Sequence, residues 1–234
     1  MVEEYDYLCK VIIIGDNEVG KATLFKYLNK LLSKEYDQRA LERVEEIKKG
    51  LDKKIDDYLI LRGNTRRRIK RKVISHKIDK LIERKTTLEQ NTHTSSNIST
   101  MLTNGLDLSH INVKFGGNTV KLQIWILSTQ ERFRSMFPMF IRGSLGAIII
   151  YDITNLSSLN RISEWCETIR ENSRNIPIIL VGNKLDLEDL REVSIEQAIK
   201  IKAEDKISDF LEISVKTGEK VEIMFERFTQ LLMT

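Results

Sequence analysis

The feature that most constrains the fold is a short apolar segment that leads directly into a loop containing two glycines and a lysine. Val11 to Ile14 form a strand-sized apolar run, and Gly15-Asp16-Asn17-Glu18-Val19-Gly20-Lys21-Ala22-Thr23 follows it before a helical pattern begins. The glycines let backbone N–H groups turn inward around a phosphate, and the amino end of the helix adds a positive dipole. The Lys21 ammonium can then bridge the β and γ phosphates of a nucleotide. The sequence therefore predicts a phosphate-binding P-loop.

Three residues of this loop weaken the expected contacts with metal and phosphate. Ser or Thr normally follows the lysine because its hydroxyl is a ligand of the nucleotide-bound Mg²⁺, but Ala22 has no oxygen to offer. One residue along a helix is a rotation of about 100°, so we expect the hydroxyl of Thr23 to face elsewhere unless the turn is deformed. Glu18 introduces a carboxylate beside the phosphates, which is a contact between like charges.

Short apolar runs alternate with helical patterns outside one inserted segment. Gly116-Gly117-Asn118 is typical of a hairpin turn between the second and third strands. The alternation predicts an α/β fold with a doubly wound, mainly parallel six-stranded sheet and one antiparallel edge pair. Strands are predicted at 7–15, 106–115, 120–127, 146–152, 176–183 and 210–214, and helices at 21–33, 131–141, 156–171, 194–204 and 221–233.

The segment of residues 35–91 differs from the rest of the chain in charge and in pattern. It carries 17 Lys and Arg against 11 Asp and Glu, a net charge of +6 in a chain whose net charge is +4. Apolar residues recur at three-to-four spacing on both sides of a turn at residues 62–65, which predicts an antiparallel hairpin of two amphipathic helices. Residues 1–34 and 92–234 are therefore predicted to form one discontinuous domain, with 35–91 as an inserted, charged helical hairpin.

Six phrases of the chain resemble, in order and in spacing, those of a known family. They are GDNEVGKATL, VKLQIW, QERFRSMF, FIRGSLGAIIIYDITN, PIILVGNKLDL and EISVKTGEKVEIMF. Over roughly three quarters of the chain, the sequence resembles the Ras superfamily of small GTPases, and the Rab branch in particular. The resemblance implies a G domain of the P-loop NTPase fold, which binds GTP and GDP with Mg²⁺ and acts as a switch. The inserted hairpin would then interrupt the switch I segment.

The resemblance assigns guanine recognition to two loops. Asn183-Lys184-x-Asp186 resembles the guanine-specificity motif, in which the aspartate accepts from guanine N1–H and the N2 amine, the asparagine braces the loop and the lysine stem lies over the base. Ser214-Val215-Lys216 resembles the second base-contacting loop, in which a backbone N–H reaches guanine O6. The predicted nucleotide site comprises these residues together with Thr103, Gly15, Asn17, Glu18, Val19, Gly20, Lys21, Ala22 and Thr23.

The residues expected at the γ-phosphate and the metal depart from the family pattern. Where relatives have Asp-x-x-Gly-Gln after the third strand, this chain has Ile126-Leu127-Ser128-Thr129-Gln130. Ile126 cannot hold a metal-bound water, and Thr129 restricts a peptide that glycine would allow to swing. Gln130 is kept and is the predicted catalytic residue that positions water. Thr103 resembles the switch I threonine, so it is a predicted metal contact, and Thr23 is a weaker one.

Three functional hypotheses follow from this combination. The first is a guanine-nucleotide-binding protein with impaired hydrolysis, because Ala22, Ile126 and Thr129 replace metal and γ-phosphate contacts and would leave Mg²⁺ weakly held. The second is a working GTPase that uses rearranged Mg²⁺ ligands or the arginine finger of an activating protein. The third is an interaction platform that binds no nucleotide. Turnover that rises with Mg²⁺ and falls when Gln130 is replaced would favour the second.

Partners and location are predicted from charge and from the two ends of the sequence. Protein partners are expected at the switch regions and the hairpin, whose basic run Arg66–Lys72 is either a solvated helix face or a contact for protein or an acidic membrane surface. The scarcity of aromatic residues there argues against nucleic acid. The acidic start is unlike a signal peptide, and residues 231–234 offer no cysteine for prenylation, so a cytoplasmic protein, at most peripheral to membranes, is expected.

Overall fold

Six strands form one sheet in the computed structural model, which describes residues 5–32 and 105–234. Neighbouring strands lie in the order β2-β3-β1-β4-β5-β6, and only the β2–β3 pair is antiparallel. The predicted sheet, mainly parallel with one antiparallel edge pair, is confirmed. The strands are β1 Tyr7–Gly15, β2 Leu106–Phe115, β3 Asn118–Leu127, β4 Gly146–Asp152, β5 Ile178–Asn183 and β6 Asp209–Glu212.

Helices follow most of the parallel strands, and three of them differ from the prediction. The predicted helix at 131–141 is a 3₁₀ segment, Glu131–Met136, followed by a short α-helix that has proline in its first turn. The predicted helix at 156–171 is divided at Arg161, and the 3₁₀ segment Leu185–Leu190 was not predicted. The α-helices are α1 at residues 21–32, α2 Phe137–Ile141, α3 Leu156–Asn160, α4 Ile162–Asn172, α5 Ile195–Glu204 and α6 Val221–Met233.

Two apolar clusters, one on each face of the sheet, hold the domain together. Val11 and Ile13 of β1 pack on the face covered by α1 and α6, while Ile12 and Ile14 pack on the face covered by α2 and α4. All four side chains are fully buried. A parallel strand that is covered on both faces reads as a continuous apolar run, which explains why this segment lacks the alternation of a surface strand. It also fixes the position of the loop that follows Gly15.

The β2–β3 hairpin sets which side chains face the P-loop. Its two turn residues, Gly116 and Gly117, have positive φ values of 56° and 85°, as a tight two-residue hairpin turn requires. The register pairs Asp107 with Ile126, and cross-strand partners present their side chains on the same face of a sheet. Ile126 belongs to the cluster beneath α1. The side chain of Asp107 therefore also lies on the α1 face.

The predicted insertion lies outside the described residues. By its backbone contacts the chain divides into one unit of residues 1–30 with 100–234 and a second of residues 31–99. The helical hairpin at 35–91, its basic run Arg66–Lys72 and the predicted contact Thr103 are not among the described residues, so they stay predictions. Across residues 5–32 and 105–234, no helix has the length and apolar character needed to cross a bilayer.

Candidate nucleotide-binding site

The loop between β1 and α1 holds its lysine against its own backbone. Nζ of Lys21 donates to the carbonyl oxygens of Gly15 at 2.6 Å and of Asp16 at 2.5 Å. Burial lowers the pKa of Lys21 to about 8, and the neighbouring Asp16 carboxylate opposes this shift. Asp16 itself forms an ion pair with Arg161, with Oδ1 and Nη1 2.6 Å apart. The loop therefore presents an oriented and partly desolvated cation, which attracts an anion more strongly than a cation in water.

Close packing against other strands explains both glycines of the loop. A Cβ atom on Gly15 would lie 2.1 Å from the carbonyl oxygen of Ile150 in β4, and one on Gly20 would lie 2.1 Å from Nδ2 of Asn183 at the end of β5. Glu18 adopts a left-handed φ of 63° between them. For a residue with a Cβ atom this conformation costs roughly 1–2 kcal/mol. Glu18 thus adds backbone strain as well as a negative charge.

A cavity of about 360 Å³ opens beside the loop. It brings Ala22 and Thr23 at the start of α1 together with Ile126 at the end of β3. Thr23 lines the cavity, and the direction of its hydroxyl group stays a prediction. Val19 does not line it, because its side chain is buried in the core. The lining residues are Asn17, Glu18, Gly20, Lys21, Ala22, Thr23, Asp107, Ile126, Leu127 and Ser128.

Thr129 is tied to the P-loop through its hydroxyl group. The residue is only 4% exposed, and its Oγ1 donates to Oδ1 of Asn17 at 3.1 Å while accepting from Nζ of Lys21 at 3.3 Å. Gln130, the predicted catalytic residue, is exposed, and its Oε1 accepts from Nε of Arg132 at 3.1 Å. Thr129 therefore contacts the P-loop lysine, and Gln130 is hydrogen-bonded to Arg132.

The amide group of Asn183 joins the P-loop to the predicted base-contacting loop. Its Nδ2 donates to the carbonyl oxygen of Val19 at 2.8 Å, and its Oδ1 accepts from the backbone N–H of Val215 at 3.0 Å. The side chain is almost completely buried, with 3% exposed. The amide therefore holds the two loops at a fixed separation.

Asp186 is held by the loop that follows β6. The Ser214 hydroxyl donates to Oδ1 of Asp186 at 2.6 Å, and Nζ of Lys216 lies 3.3 Å from Oδ2. The hydrogen bond from Ser214, supported by Lys216, lowers the pKa of Asp186 against the opposing effect of burial. The carboxylate is therefore kept ionised near neutral pH, with lone pairs left to accept further hydrogen bonds.

Lys184 lies between these residues in a left-handed conformation, with a φ of 74°. Its Nζ is 2.5 Å from Oδ2 of Asp152 at the end of β4. The other carboxylate oxygen of Asp152 accepts from the backbone N–H and the hydroxyl of Thr154 at 2.9 and 2.7 Å. This ion pair anchors the lysine stem at the carboxyl edge of the sheet, where ligands of open α/β sheets bind.

Comparison with known proteins identifies the family. A model of the Ras family matches residues 79–234. The chain belongs to the Ras family. The predicted G domain is thereby confirmed, and proteins of this family bind GTP and GDP together with Mg²⁺.

Two Rab proteins of Dictyostelium discoideum are similar to this Ras-family chain. Ras-related protein Rab-4 is 44% identical over 131 residues, which cover 56% of the chain and 63% of Rab-4. Ras-related protein Rab-11A is 28% identical over 225 residues, which cover 96% of the chain and 75% of Rab-11A. The chain thus spans less than two thirds of the length of Rab-4. These similarities confirm the predicted Rab-like relationship.

Among the residues that line the cavity in this Ras-family chain, Asp107 belongs to none of the motifs that the sequence analysis considered. Asp107 lines the cavity, and burial raises the pKa of its carboxyl group. The signal that could have found it is the two-glycine turn at 116–117. Counting outward from that turn along both strands pairs Asp107 with Ile126, as the register shows.

The oxygen atoms around the cavity fit a magnesium ion that arrives with a nucleotide. Mg²⁺ in phosphate-binding sites typically takes one or two protein carboxylates plus substrate phosphates and keeps several waters. Asp107, Thr23 and Ser128 line the cavity, and each has a side-chain oxygen that is a suitable ligand for Mg²⁺. Within the described ranges, no cluster of three or more His, Cys, Asp or Glu side chains could hold a metal. The phosphates would therefore have to supply part of the coordination.

Replacing Glu18 should strengthen nucleotide binding. Glu18→Gln removes the charge and keeps the strained backbone, whereas Glu18→Gly removes both. We expect affinity to rise by a similar factor in both variants, because the strain is present in the free protein and its relief stabilises the fold. A unit charge in a partly exposed site changes affinity by about 3- to 10-fold, and the gain should be larger for GTP than for GDP. Equilibrium titration with fluorescent nucleotides measures this. Unchanged affinity in both variants would contradict the expectation.

The lowered pKa of Lys21 predicts proton uptake on nucleotide binding. Because the pKa of Lys21 is about 8 in the free protein, part of the population is neutral at pH 8.5, and phosphates raise that pKa again. GDP binding should therefore take up protons at pH 8.5 and fewer at pH 7. Calorimetry in two buffers of different ionisation enthalpy measures the uptake. Equal uptake at the two pH values would refute the assignment of Lys21 to the phosphates.

Proposed function

We propose that this chain binds guanine nucleotide between the P-loop and the loops that follow β5 and β6, and that it hydrolyses GTP slowly when acting alone. The observation that carries the proposal is the set of hydrogen bonds of Asn183, which link the P-loop to the second base loop beside Asp186. In this proposal, Asn183 thus fixes the position of Lys21, which would bind the phosphates, relative to Asp186, whose ionised carboxylate would bind the base.

The chemistry of Asp186 supports guanine over adenine. An ionised carboxylate only accepts hydrogen bonds, and each of its oxygens has two lone pairs. Ser214 and Lys216 each contact a different oxygen of Asp186, so one lone pair on each remains. Guanine presents two adjacent donors, N1–H and the N2 amine, whereas adenine has an unprotonated N1 at the same edge. The pair of acceptors therefore matches guanine.

The contacts of Lys21 support binding of the phosphates. Its ammonium already lies on two loop carbonyl groups and lines the cavity, so a phosphate entering there meets a cation at fixed position. The amino end of α1 adds its positive dipole at the same place. Glu18 opposes this attraction from the same cavity, which lowers affinity without removing the site.

The contacts of Thr129 and Gln130 support slow hydrolysis. The Thr129 hydroxyl is hydrogen-bonded to both Asn17 and Lys21. A γ-phosphate must therefore compete with this hydroxyl for the lysine. Gln130 must break its hydrogen bond to Arg132 before it can orient a water molecule. Positioning of the nucleophile is a main part of catalysis in phosphoryl transfer. The cost of these rearrangements adds to the barrier for GTP cleavage.

The biological setting in this proposal follows the predictions from the sequence. Protein partners would read the nucleotide state through the switch regions and the inserted hairpin, and the basic run Arg66–Lys72 would contact protein or an acidic membrane surface. The protein would work in the cytoplasm or at the periphery of a membrane. We expect the protein not to contact nucleic acid.

Replacing Asp186 tests the choice of base. Asp186→Asn turns an acceptor into a partial donor, so GTP affinity should fall by about 10- to 100-fold, the equivalent of a charged hydrogen bond, and xanthine nucleotides should now bind. Calorimetry with GTP, ATP and XTP measures these affinities. Asp189→Asn, on an exposed residue three positions along, is the matched control and should leave them unchanged. Wild-type protein that prefers ATP, or that binds no nucleotide and so acts only as an interaction platform, would overturn the proposal.

Replacing Thr129 tests the origin of slow hydrolysis. Thr129→Gly removes both the hydroxyl group and the backbone restriction, so single-turnover GTP cleavage should accelerate about tenfold, a change of about 1.4 kcal/mol in the barrier. Thr129→Val keeps the branched Cβ atom and loses only the hydroxyl, so it should strengthen GTP binding with little gain in rate. Release of inorganic phosphate measures both. A glycine variant no faster than wild type would show that hydrolysis is limited elsewhere.

A further inference from the structure

We propose that Asp107 supplies the metal-directed carboxylate that this chain lacks at position 126, so that the Mg²⁺ accompanying the nucleotide is held from β2 instead of β3. The inference rests on the proposed binding of guanine nucleotide. Ala22 and Ile126 led us to expect that Mg²⁺ is weakly held. With Asp107 as a replacement, the chain would instead hold Mg²⁺ through a rearranged set of ligands.

The register of the hairpin puts Asp107 beside the position that has lost its carboxylate. Asp107 and Ile126 are direct partners across the antiparallel pair, so their side chains lie on the same face of the sheet. The Ile126 side chain is 2% exposed and belongs to the cluster beneath α1. Moving a carboxylate from β3 to β2 shifts it by about one strand spacing, or 4.7–4.9 Å. One bound water molecule can bridge such a displacement.

A second contact of β2 fixes the direction in which Asp107 faces. Ser109, two residues further along the strand, donates from Oγ to Oδ1 of Asn29 in α1 at 3.4 Å. Residues two apart in a strand share a face, so the face of Asp107 is turned toward α1, the helix that begins at Lys21. This agrees with the cavity, whose wall includes Asp107, Lys21 and Thr23.

Among the residues that the structure describes, the Asp107 carboxylate has no hydrogen-bond or ion-pair partner, although it is only half exposed to solvent. By contrast, the P-loop carboxylate of Asp16 is neutralised by Arg161. A partly desolvated carboxylate without a partner is unfavourable, and a divalent cation in the cavity would neutralise it. The side chain is therefore available to a metal without the loss of an existing contact.

The charges that line the cavity favour entry of a cation with the nucleotide. The cavity wall carries two carboxylates, Glu18 and Asp107, and one ammonium, Lys21. A nucleotide adds several negative charges to this set, so a divalent cation between the phosphates and Asp107 would reduce repulsion on both sides. Asp107 suits this role better than Glu18, because it lies on the same face and at the same level as the position of the lost ligand.

The test compares how Mg²⁺ slows the release of GDP from wild-type protein and from Asp107→Asn. The release rate of a fluorescent GDP is measured from excess chelator to saturating Mg²⁺, and electron paramagnetic resonance of Mn²⁺ in the GDP complex measures metal binding independently. Loss of a carboxylate that supports a metal through its bound ligands lowers metal affinity by about 10- to 100-fold. We expect this loss in Asp107→Asn, whereas release in excess chelator should become slower, because the variant removes one of the two cavity carboxylates that repel a metal-free nucleotide.

Three further variants make the result specific. Asp189→Asn, on an exposed residue outside the cavity, should behave as wild type. Glu18→Gln removes the other carboxylate of the cavity and should slow GDP release in excess chelator without weakening metal binding. Asp107→Asn with Ile126→Asp returns the carboxylate to β3 and should restore the magnesium response. Asp107→Ser replaces the asparagine variant if that variant does not fold.

The outcomes separate failure of this inference from failure of the proposed function. If wild-type protein binds no guanine nucleotide, the proposed function fails and the inference with it. If GDP binds but Mg²⁺ does not slow its release, or if Asp107→Asn keeps the metal affinity of wild type, the inference alone is overturned.

Discussion

The two hydrogen bonds of the Asn183 amide are the interaction on which the candidate site depends. One holds the carbonyl group of Val19 in the P-loop, and the other holds the backbone N–H of Val215. A buried amide that lost either partner would leave a polar group unsatisfied, at a cost of about 1–3 kcal/mol. Gly20 must lack a side chain for this amide to approach. In the proposed function, phosphate binding and base recognition would therefore be coupled by one side chain and one glycine.

The site treats the base and the γ-phosphate differently. On the base side, Asp186 is ionised and held by Ser214 and Lys216. On the phosphate side, the loop combines a strained, charged Glu18 with a threonine hydroxyl that already binds the lysine. The same nucleotide would thus be favoured at one end and opposed at the other. In this proposal, binding survives because Asp186 and Lys21 act on the base and the inner phosphates, while cleavage depends on the end of the nucleotide that Glu18 and Thr129 oppose.

The sheet was predictable because its signals are local, and parts of the site were not. β1 and β4 were predicted to the residue, since strands buried on both faces read as continuous apolar runs that end at glycine or aspartate. The break at Arg161 was missed because no proline or glycine marks it. Asp107 was missed for a different reason. Its position in the cavity follows from pairing across the hairpin, and a motif search along a single strand does not consider that pairing.

In the proposed site, the charges of the cavity would couple the binding of nucleotide to the binding of metal more strongly than a neutral loop would. With Lys21 charged, the two carboxylates of Glu18 and Asp107 leave the cavity wall with a net negative charge. Such a wall repels a nucleotide that carries no metal. It also repels a bound nucleotide whose metal has dissociated. This effect grows as the pH rises through the pKa of Lys21, which is about 8 in the free protein, because Lys21 loses its positive charge. In this proposal Asp107, which weakens the binding of a free nucleotide, favours the binding of its magnesium complex, whereas Glu18 only repels the phosphates.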